Sequence, residues 1–186
     1  AVSQAGRRGA LMLTLGVDHP DIEKFITIKN DESRTKVQYA NISVLITHEF
    51  MEAVMGDTDF DLKFEGKTYR TVKARKLWNK IITNAHASAE PGIIFWDTMR
   101  EYHNVEYANP ITSTNPCGEQ PLASYTACNL GNLNLMKFVK EDGTFDHESL
   151  ADATKIATRF LDNVIEYNME NHALPKIRDA VDSDRR

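Results

Sequence analysis

The chain has 186 residues, of which 41% are hydrophobic and 26% are charged, as in an ordinary globular domain with a buried core. Its formal net charge of -5, without a long run of like charges, argues against a basic surface for nucleic acid. No stretch approaches the roughly 20 apolar residues of a membrane span, and the first residues lack the apolar centre of a secretory signal. We therefore expect a cytoplasmic protein that binds neither nucleic acid nor membrane.

Hydrophobic spacing predicts alternating strands and helices along the first half of the chain. In chain order these are a strand at 10–17 buried on both faces, a helix from Ile22, a strand within 37–46, a helix at 48–55 capped by Thr47, a hairpin at 60–72 turning at 65–67, and a helix at 74–87.

The second half is predicted to contain a long irregular stretch between regular elements. In chain order we expect a strand at 93–96, a short helix capped by Asp97, an irregular stretch at 104–126, a strand at 128–135, and a helix over 150–165 in a region that ends at Pro175. This order favours an α/β fold with a mainly parallel sheet and no internal domain boundary.

The irregular stretch contains a cysteine with polar neighbours. Cys117 lies between Gly and Pro residues, with Asn115 and Glu119 two positions to either side. Loops held by rigid elements often contain catalytic groups, and Gly118 would let the backbone approach a ligand closely. Asn115 can donate and accept hydrogen bonds, and Glu119 can accept a proton. A lone cysteine is more often a small buried hydrophobe, so these residues alone leave both interpretations open.

The cysteines favour neither a disulfide framework nor a metal site. Two cysteines, Cys117 and Cys128, are too few for a disulfide-rich fold of this size. They also lack the neighbouring Cys or His ligands that a zinc site needs, so we predict no metal site.

Several separated motifs resemble class II, adenosylcobalamin-dependent ribonucleotide reductases. The run Asn115-Pro116-Cys117-Gly118-Glu119-Gln120-Pro121-Leu122, followed by Cys128-Asn129-Leu130-Gly131, is similar to that family's finger-loop signature. Further segments resemble the family in the same order: Gly6 to Ala10 with His19 to Ile22, Asn41 to Val44 with Phe50 to Val54, and Glu90 to Phe95. Class I enzymes usually have Asn-Leu-Cys where this chain has Asn-Pro-Cys, which favours the cobalamin class.

The resemblance implies a role for each residue of the cysteine motif. Cys117 would form the transient thiyl radical that abstracts the 3′-hydrogen of a ribonucleotide. Glu119 would accept the proton of the 3′-hydroxyl, and Asn115 would hydrogen-bond the substrate hydroxyls. Cys128 would be one of two cysteines that supply reducing equivalents by forming a disulfide.

The resemblance also implies the wider setting of this chain. Residues 1–186 would form the central part of a ten-stranded α/β barrel with the cysteine-bearing finger loop inside it. Adenosylcobalamin would be the cofactor, and the partners would be a ribonucleotide, a deoxynucleotide effector and the remaining parts of the enzyme, as a homodimer. Either di- or triphosphate substrates are compatible with the sequence.

The start of the chain matches the family's loop between effector and substrate base. The residues of that loop would be Ser3, Gln4, Gly6, Arg7, Arg8 and Gly9. Gln4 and Arg8 would contact the base, although an exposed basic chain terminus explains the same residues.

Three alternatives remain open. The first is a class I large subunit, which needs no cobalamin, and the second is a non-catalytic fragment that associates with the rest of an enzyme. The third, an unrelated thiol oxidoreductase, is disfavoured because the chain lacks a Cys-x-x-Cys motif. We expect the isolated chain to be inactive, since the second reducing cysteine and the tail cysteines of the family are absent from it. Trp96 is most simply a core residue, with the edge of a cofactor site as its alternative role.

Overall fold

The computed structural model describes residues 3–4, 7–30, 37 and 39–185 of the chain. They form two compact units, one of residues 1–106 with 111–122 and one of residues 107–110 with 123–186. The elements in chain order are β1 Ser3–Gln4, β2 Arg7–Arg8, β3 Leu11–Gly16, α1 Ile22–Thr27, β4 Ala40–Ile46, α2 His48–Gly56, β5 Asp59–Phe64, β6 Lys67–Lys73, α3 Ala74–Ser88, β7 Gly92–Phe95, α4 Trp96–Glu101, β8 Ile111–Thr114, β9 Pro121–Ala123, a 3-10 helix Leu135–Phe138, α5 His147–Asn171 and α6 Pro175–Asp184.

The main sheet of the first unit is parallel and has the strand order β3-β4-β7. β4 is central, with Leu11 paired to Ala40 at one end of β3, and β7 pairs with β4 only from Ser43 onward. The expected α/β class is therefore confirmed. The sheets of the described residues are separate and none is closed, so the ten-stranded barrel stays a prediction.

The core of the first unit lies on one face of this sheet. Val44 and Ile46 of β4 point into it, together with Val17, which follows β3. The ring of Phe50 on α2 meets that of Phe60 edge-to-face at 5.0 Å between centroids. Side chains of α1, the β5–β6 hairpin and α3 complete the cluster: Ile22, Ile26, Ala53, Val54, Leu62, Ala74, Leu77 and Ile81. Each large side chain buried in this way contributes about 1.5–3 kcal/mol.

The prediction that strand 10–17 is buried on both faces was wrong. Leu11 and Leu13 are 55% and 37% exposed. Both leucines lie near the start of β3, which is an edge strand. The core lies at the other end of the sheet, where Leu15 packs against the core residues. β7 likewise buries only Ile94 of its four residues.

Two local predictions in this unit were confirmed. Thr47 caps α2, because its hydroxyl oxygen accepts a hydrogen bond of 3.2 Å from the backbone N–H of Phe50. The hairpin turns at Glu65 and Gly66, with φ values of 49° and 77°. Positive φ at both central residues is typical of the type I′ turn that matches the twist of paired strands.

The predicted cap of α4 was wrong, although the helix itself is present. Asp97 lies inside the first turn of α4, which begins at Trp96. Its Oδ2 accepts a hydrogen bond of 2.8 Å from the backbone N–H of His48, the first residue of α2. Asp97 belongs to α4, but its carboxylate therefore satisfies a backbone N–H at the start of α2.

In the second unit, the sequence predicted the long helix α5 but neither the residue that caps it nor the helix that follows it. Asp146 caps α5 through its Oδ1, which accepts a hydrogen bond of 3.0 Å from the N–H of Ser149. Pro175 does more than end the preceding region, because it opens α6, where its missing N–H costs little. The apolar stripe of α5 is largely exposed, with only Ile165 buried.

The strand predicted at 128–135 is absent. The backbone there is irregular and leads into the 3-10 helix that begins at Leu135. Asn129 donates from its side chain to the backbone oxygen of Leu161 on α5 at 2.8 Å, so this segment is attached to a helix and not to another strand. Conversely, the irregular stretch at 104–126 contains β8 and β9.

Candidate active site

The residues Asn115 to Gln120 join β8 to β9 and are called the cysteine loop below. A carboxylate fixes the start of β8. Glu106 accepts a hydrogen bond of 2.9 Å from the backbone N–H of Ile111 and one of 2.6 Å from Nε of Arg100. These two bonds, the backbone one first, hold the pKa of the Glu106 carboxyl below its usual range.

Asn115 closes the cysteine loop. Its side-chain Oδ1 accepts a hydrogen bond of 2.9 Å from the backbone N–H of Gln120, and its own N–H donates to the Gln120 carbonyl at 3.2 Å. Its carbonyl oxygen accepts from the N–H of Gly118 at 2.9 Å. The side-chain oxygen is thus used within the loop, while the amide N–H groups are the part suited to donate to a ligand hydroxyl.

Gly118 is needed for its backbone conformation. Its φ is +86°, in the region that favours glycine, and a Cβ built there meets no described heavy atom within 4 Å. The close approach of a ligand to Gly118 stays a prediction, and the open space beside this residue is compatible with it.

Cys117 and Glu119 are both exposed in the cysteine loop. Because Asn115 closes the loop around them, all three predicted residues of the motif lie on one short, hydrogen-bonded turn. An exposed carboxylate can accept a proton from a bound molecule, and the exposed thiol beside it in sequence is accessible to a ligand.

The cysteine loop is attached to the face of the main sheet that points away from the core. Side chains alternate along a strand, so Asn41 points opposite to its neighbour Ile42, which shares a face with the core residue Val44. The amide Nδ2 of Asn41 donates a hydrogen bond to the backbone oxygen of Pro116. The sheet therefore separates the packed core from the cysteine loop.

Cys128 belongs to the second unit and is also an exposed thiol. The residues after it are attached to α5 through Asn129, and a Cβ on Gly131 would lie 3.5 Å from the side chain of Leu161. The segment that follows Cys128 is thus held by α5 and is not part of a strand.

The predicted effector loop lies partly outside the described residues. β1 and β2 pair in antiparallel fashion, with Ser3 opposite Arg8 and Gln4 opposite Arg7, and Gly9 follows as an exposed residue. Gly6 lies outside the described residues. The base-contacting roles of Gln4 and Arg8 stay predictions.

Neither a metal-ligand cluster nor a membrane-spanning helix occurs in the described ranges of the chain. Within those ranges, no group of three or more His, Cys, Asp or Glu side chains is placed to hold a metal ion. Among the helices of the described residues, none combines the length and the apolar composition that a membrane span requires.

A parallel sheet with a cysteine-bearing loop on one face defines an α/β domain with an exposed thiol at its candidate site. The family model described as "Ribonucleotide reductase, barrel domain" matches residues 1–186. The chain belongs to this family.

Similar proteins agree with this assignment. The chain is 42% identical over 170 residues to the vitamin B12-dependent ribonucleoside-diphosphate reductase of Thermoplasma acidophilum, covering 90% of the chain and 22% of that protein. It is 38% identical over 188 residues to the protein of the same name from Mycobacterium tuberculosis (strain CDC 1551 / Oshkosh), covering 100% and 27%. Identity to the vitamin B12-dependent ribonucleotide reductase of Streptomyces clavuligerus is 37% over 185 residues, covering 85% and 19%. The chain therefore spans about a quarter or less of the length of these curated relatives.

Sequence reasoning missed the residues that hold the cysteine loop in place. Asn41 was assigned no role beyond its place in a family-like segment, although a polar side chain inside the apolar run of β4 was a usable signal. Glu106 gave no signal, because its contact with Ile111 depends on a fold that no periodicity reveals.

Proposed function

We propose that this chain contributes the cysteine loop of a vitamin B12-dependent ribonucleotide reductase. The observation that supports this most directly is the closed turn of Asn115, Cys117 and Glu119, in a chain that the family model matches over its full length. The three relatives named above are all vitamin B12-dependent, which favours this class over a class I large subunit.

In the proposed reaction, the 2′-hydroxyl of a ribonucleotide is replaced by hydrogen. The Cys117 sulfur, as a thiyl radical, takes the 3′-hydrogen atom and later returns it. Glu119 accepts the 3′-hydroxyl proton while the 2′-hydroxyl leaves as water. Two thiols, one of them that of Cys128, then supply two electrons and two protons and become a disulfide. The exposure of both cysteines supports these roles.

Asn115 would orient the substrate in this scheme. Its Oδ1 already accepts from the N–H of Gln120, so its amide N–H groups would donate to the ribose hydroxyls. Holding the reacting hydroxyls beside Cys117 and Glu119 is the kind of positioning from which much of the rate of an enzyme derives.

Adenosylcobalamin, when bound, supplies the initiating radical by homolysis of its cobalt–carbon bond. Cys117 fits this chemistry because its sulfur is exposed in the middle of the cysteine loop. Trp96, half-buried directly after the carboxyl end of β7, is our candidate for a side chain along the cofactor. Ligands of open parallel sheets collect at that end.

We extend the proposal to the whole enzyme. Residues 1–186 would form a central part of a ten-stranded barrel without an internal domain boundary, with the cysteine loop as its finger loop. The parallel sheet β3-β4-β7 with that loop on one face supports this. The enzyme would be a cytoplasmic homodimer that binds a deoxynucleotide effector at residues 3–9.

The test uses the complete enzyme that contains this chain. Ribonucleotide reduction is measured with and without adenosylcobalamin for the wild type, Cys117→Ser, Glu119→Gln and, as a matched control, Glu141→Gln. We expect cobalamin-dependent activity that Cys117→Ser abolishes and Glu119→Gln strongly lowers. Glu141, an exposed carboxylate outside the cysteine loop, should be replaceable without loss. Full activity of Cys117→Ser would refute the proposal.

Cys128→Ser separates the two cysteine roles in the same assay. We expect it to prevent reduction, while hydrogen exchange at the substrate 3′ position, which needs only Cys117, continues. Loss of both signals would place Cys128 in the hydrogen-transfer step and contradict its proposed role.

A further inference from the structure

One side chain of the main sheet contacts the backbone beside the proposed radical cysteine. The amide Nδ2 of Asn41 donates to the carbonyl oxygen of Pro116, which is covalently joined to Cys117. Asn41 is on the central strand β4. It pairs there with Met12 of β3, and β7 flanks β4 on the other side from Ser43 onward. A contact of this kind transfers the rigidity of a sheet to a loop.

An ion pair holds both neighbours of Asn41. Glu90 accepts a hydrogen bond of 2.9 Å from the backbone N–H of Ile42 through Oε1, and its Oε2 lies 2.9 Å from Nζ of Lys29. Nζ of Lys29 also donates to the backbone oxygen of Ala40. The backbone of β4 is therefore held immediately before and immediately after Asn41.

The sheet register explains why side chains are needed there. β7 pairs with β4 only from Ser43 onward, so β7 does not reach the groups of Ala40 and Ile42 at that edge. Residues 40 and 42 present their backbone groups to the same side of a strand, and Lys29 and Glu90 satisfy one group of each. Their side chains are only 10% and 25% exposed. Burying an ion pair costs desolvation energy. The placement of this pair on both neighbours of Asn41 therefore indicates that the backbone of β4 is held firmly at this position.

We propose that Asn41 is a positioning residue for Cys117, and that the Lys29–Glu90 pair fixes Asn41 for this purpose. The inference rests on the proposed function, since it assigns to Asn41 the placing of the radical sulfur. Asn41 acts through the Pro116 carbonyl and does not take part in the chemistry. Its loss lets the cysteine loop move relative to the sheet while the sheet itself stays folded.

The first measurement is hydrogen exchange in the complete enzyme, read by mass spectrometry on peptides covering 115–120. Asn41→Ala should speed exchange of the Gly118 and Gln120 amides on the order of tenfold, the scale of one lost hydrogen bond. Exchange in α3 should be unchanged, which shows that the fold is retained. Asn171→Ala is the matched control, because it removes another exposed side-chain amide that donates to a backbone oxygen, that of Tyr167 at 2.8 Å.

The second measurement separates positioning from substrate binding. Asn41→Ala should lower kcat by about 10²-fold, the effect of a displacement of about 1 Å at a reacting group, and change KM less than about twofold. Asn41→Asp keeps the size but loses the donor and should behave like Asn41→Ala. Lys29→Met should speed exchange in the cysteine loop in the same direction, and adding it to Asn41→Ala should have little further effect, because both act through one contact.

The results decide the inference independently of the proposed function. Unchanged exchange of the loop amides in Asn41→Ala would overturn it, and so would a raised KM with unchanged kcat, which indicates direct substrate contact. If Asn41→Ala does not fold, exchange in Asn41→Ser and Lys29→Met decides instead. Cys117→Ser is assayed alongside: if it stays active, the proposed function fails, while the exchange data still show whether Asn41 holds the loop.

Discussion

Gly118→Ala should damage the cysteine loop through the backbone alone. The φ of Gly118 is +86° and an added Cβ meets no described atom within 4 Å, so the substitution causes no clash. What remains is the cost of holding a residue with a Cβ in the left-handed region, about 1–2 kcal/mol. Relief of that strain would shift the loop and Cys117 with it.

Two glycines elsewhere provide matched controls. Gly66 and Gly143 have φ values of +77° and +81°, and an added Cβ is equally unobstructed at both. All three Ala variants of the complete enzyme should therefore lose about the same stability, measured as the urea midpoint at unchanged slope. Only Gly118→Ala should also lower kcat, by about 10²-fold for a displacement of about 1 Å.

Either of two results would refute this reasoning. If Gly118→Ala keeps the kcat of the Gly66→Ala control, the conformation at residue 118 does not position Cys117. If it loses far more stability than both controls, the substituted side chain meets something other than open space.

Core, cap and carboxylate substitutions test other parts of the structure, again in the complete enzyme. Phe50→Ala should cost about 3–5 kcal/mol in urea unfolding, because the side chain is fully buried, and a cost below 1 kcal/mol would contradict its place in the core. Asp146→Ala should cost about 1 kcal/mol and Asp146→Asn much less, since Asn still accepts from Ser149; equal losses would exclude capping. The pKa of the Glu106 carboxyl is lowered from its usual 4.5 in the folded protein. The Glu106 carboxylate therefore adds to the free energy of unfolding above pH 4.5, and this stabilisation is lost as the pH falls through the pKa of the folded state. Glu106→Gln should thus be less stable than the wild type at neutral pH and equal to it in acid, as acid titrations of unfolding would show.

Much of the fold of the first unit was predictable because its signals are local. Thr47 before α2 and Glu65-Gly66 in the hairpin each determine their structure through their own backbone and nearest neighbours. The central residues of the recognised motif, Asn115, Cys117 and Glu119, likewise lie within one short turn. What the turn is attached to depends on Asn41, which is distant in sequence.

The errors occurred where an apolar pattern has more than one structural solution. The leucines at 130, 133 and 135 predict a strand, but a strand needs a partner, and Asn129 instead donates a hydrogen bond to Leu161 of α5. Burial of Leu11 was overestimated because an apolar run does not show whether both faces of its sheet are covered. β8 and β9 were missed because their residues are polar or include proline, and pairing across the cysteine loop defines them.

β7 lies beside β4 in the main sheet, although α2, the β5–β6 hairpin and α3 separate them along the chain. Closing so long a loop has an entropy cost, so the hairpin and helices, whose contacts are local, are expected to form earlier in folding. Glu90 lies two residues before β7, so we expect it to reach Ile42 only when this late pairing is made. The cysteine loop is therefore expected to receive its final anchor near the end of folding, and a chain in which β7 fails to dock would retain native helices while its cysteine loop lacks that support.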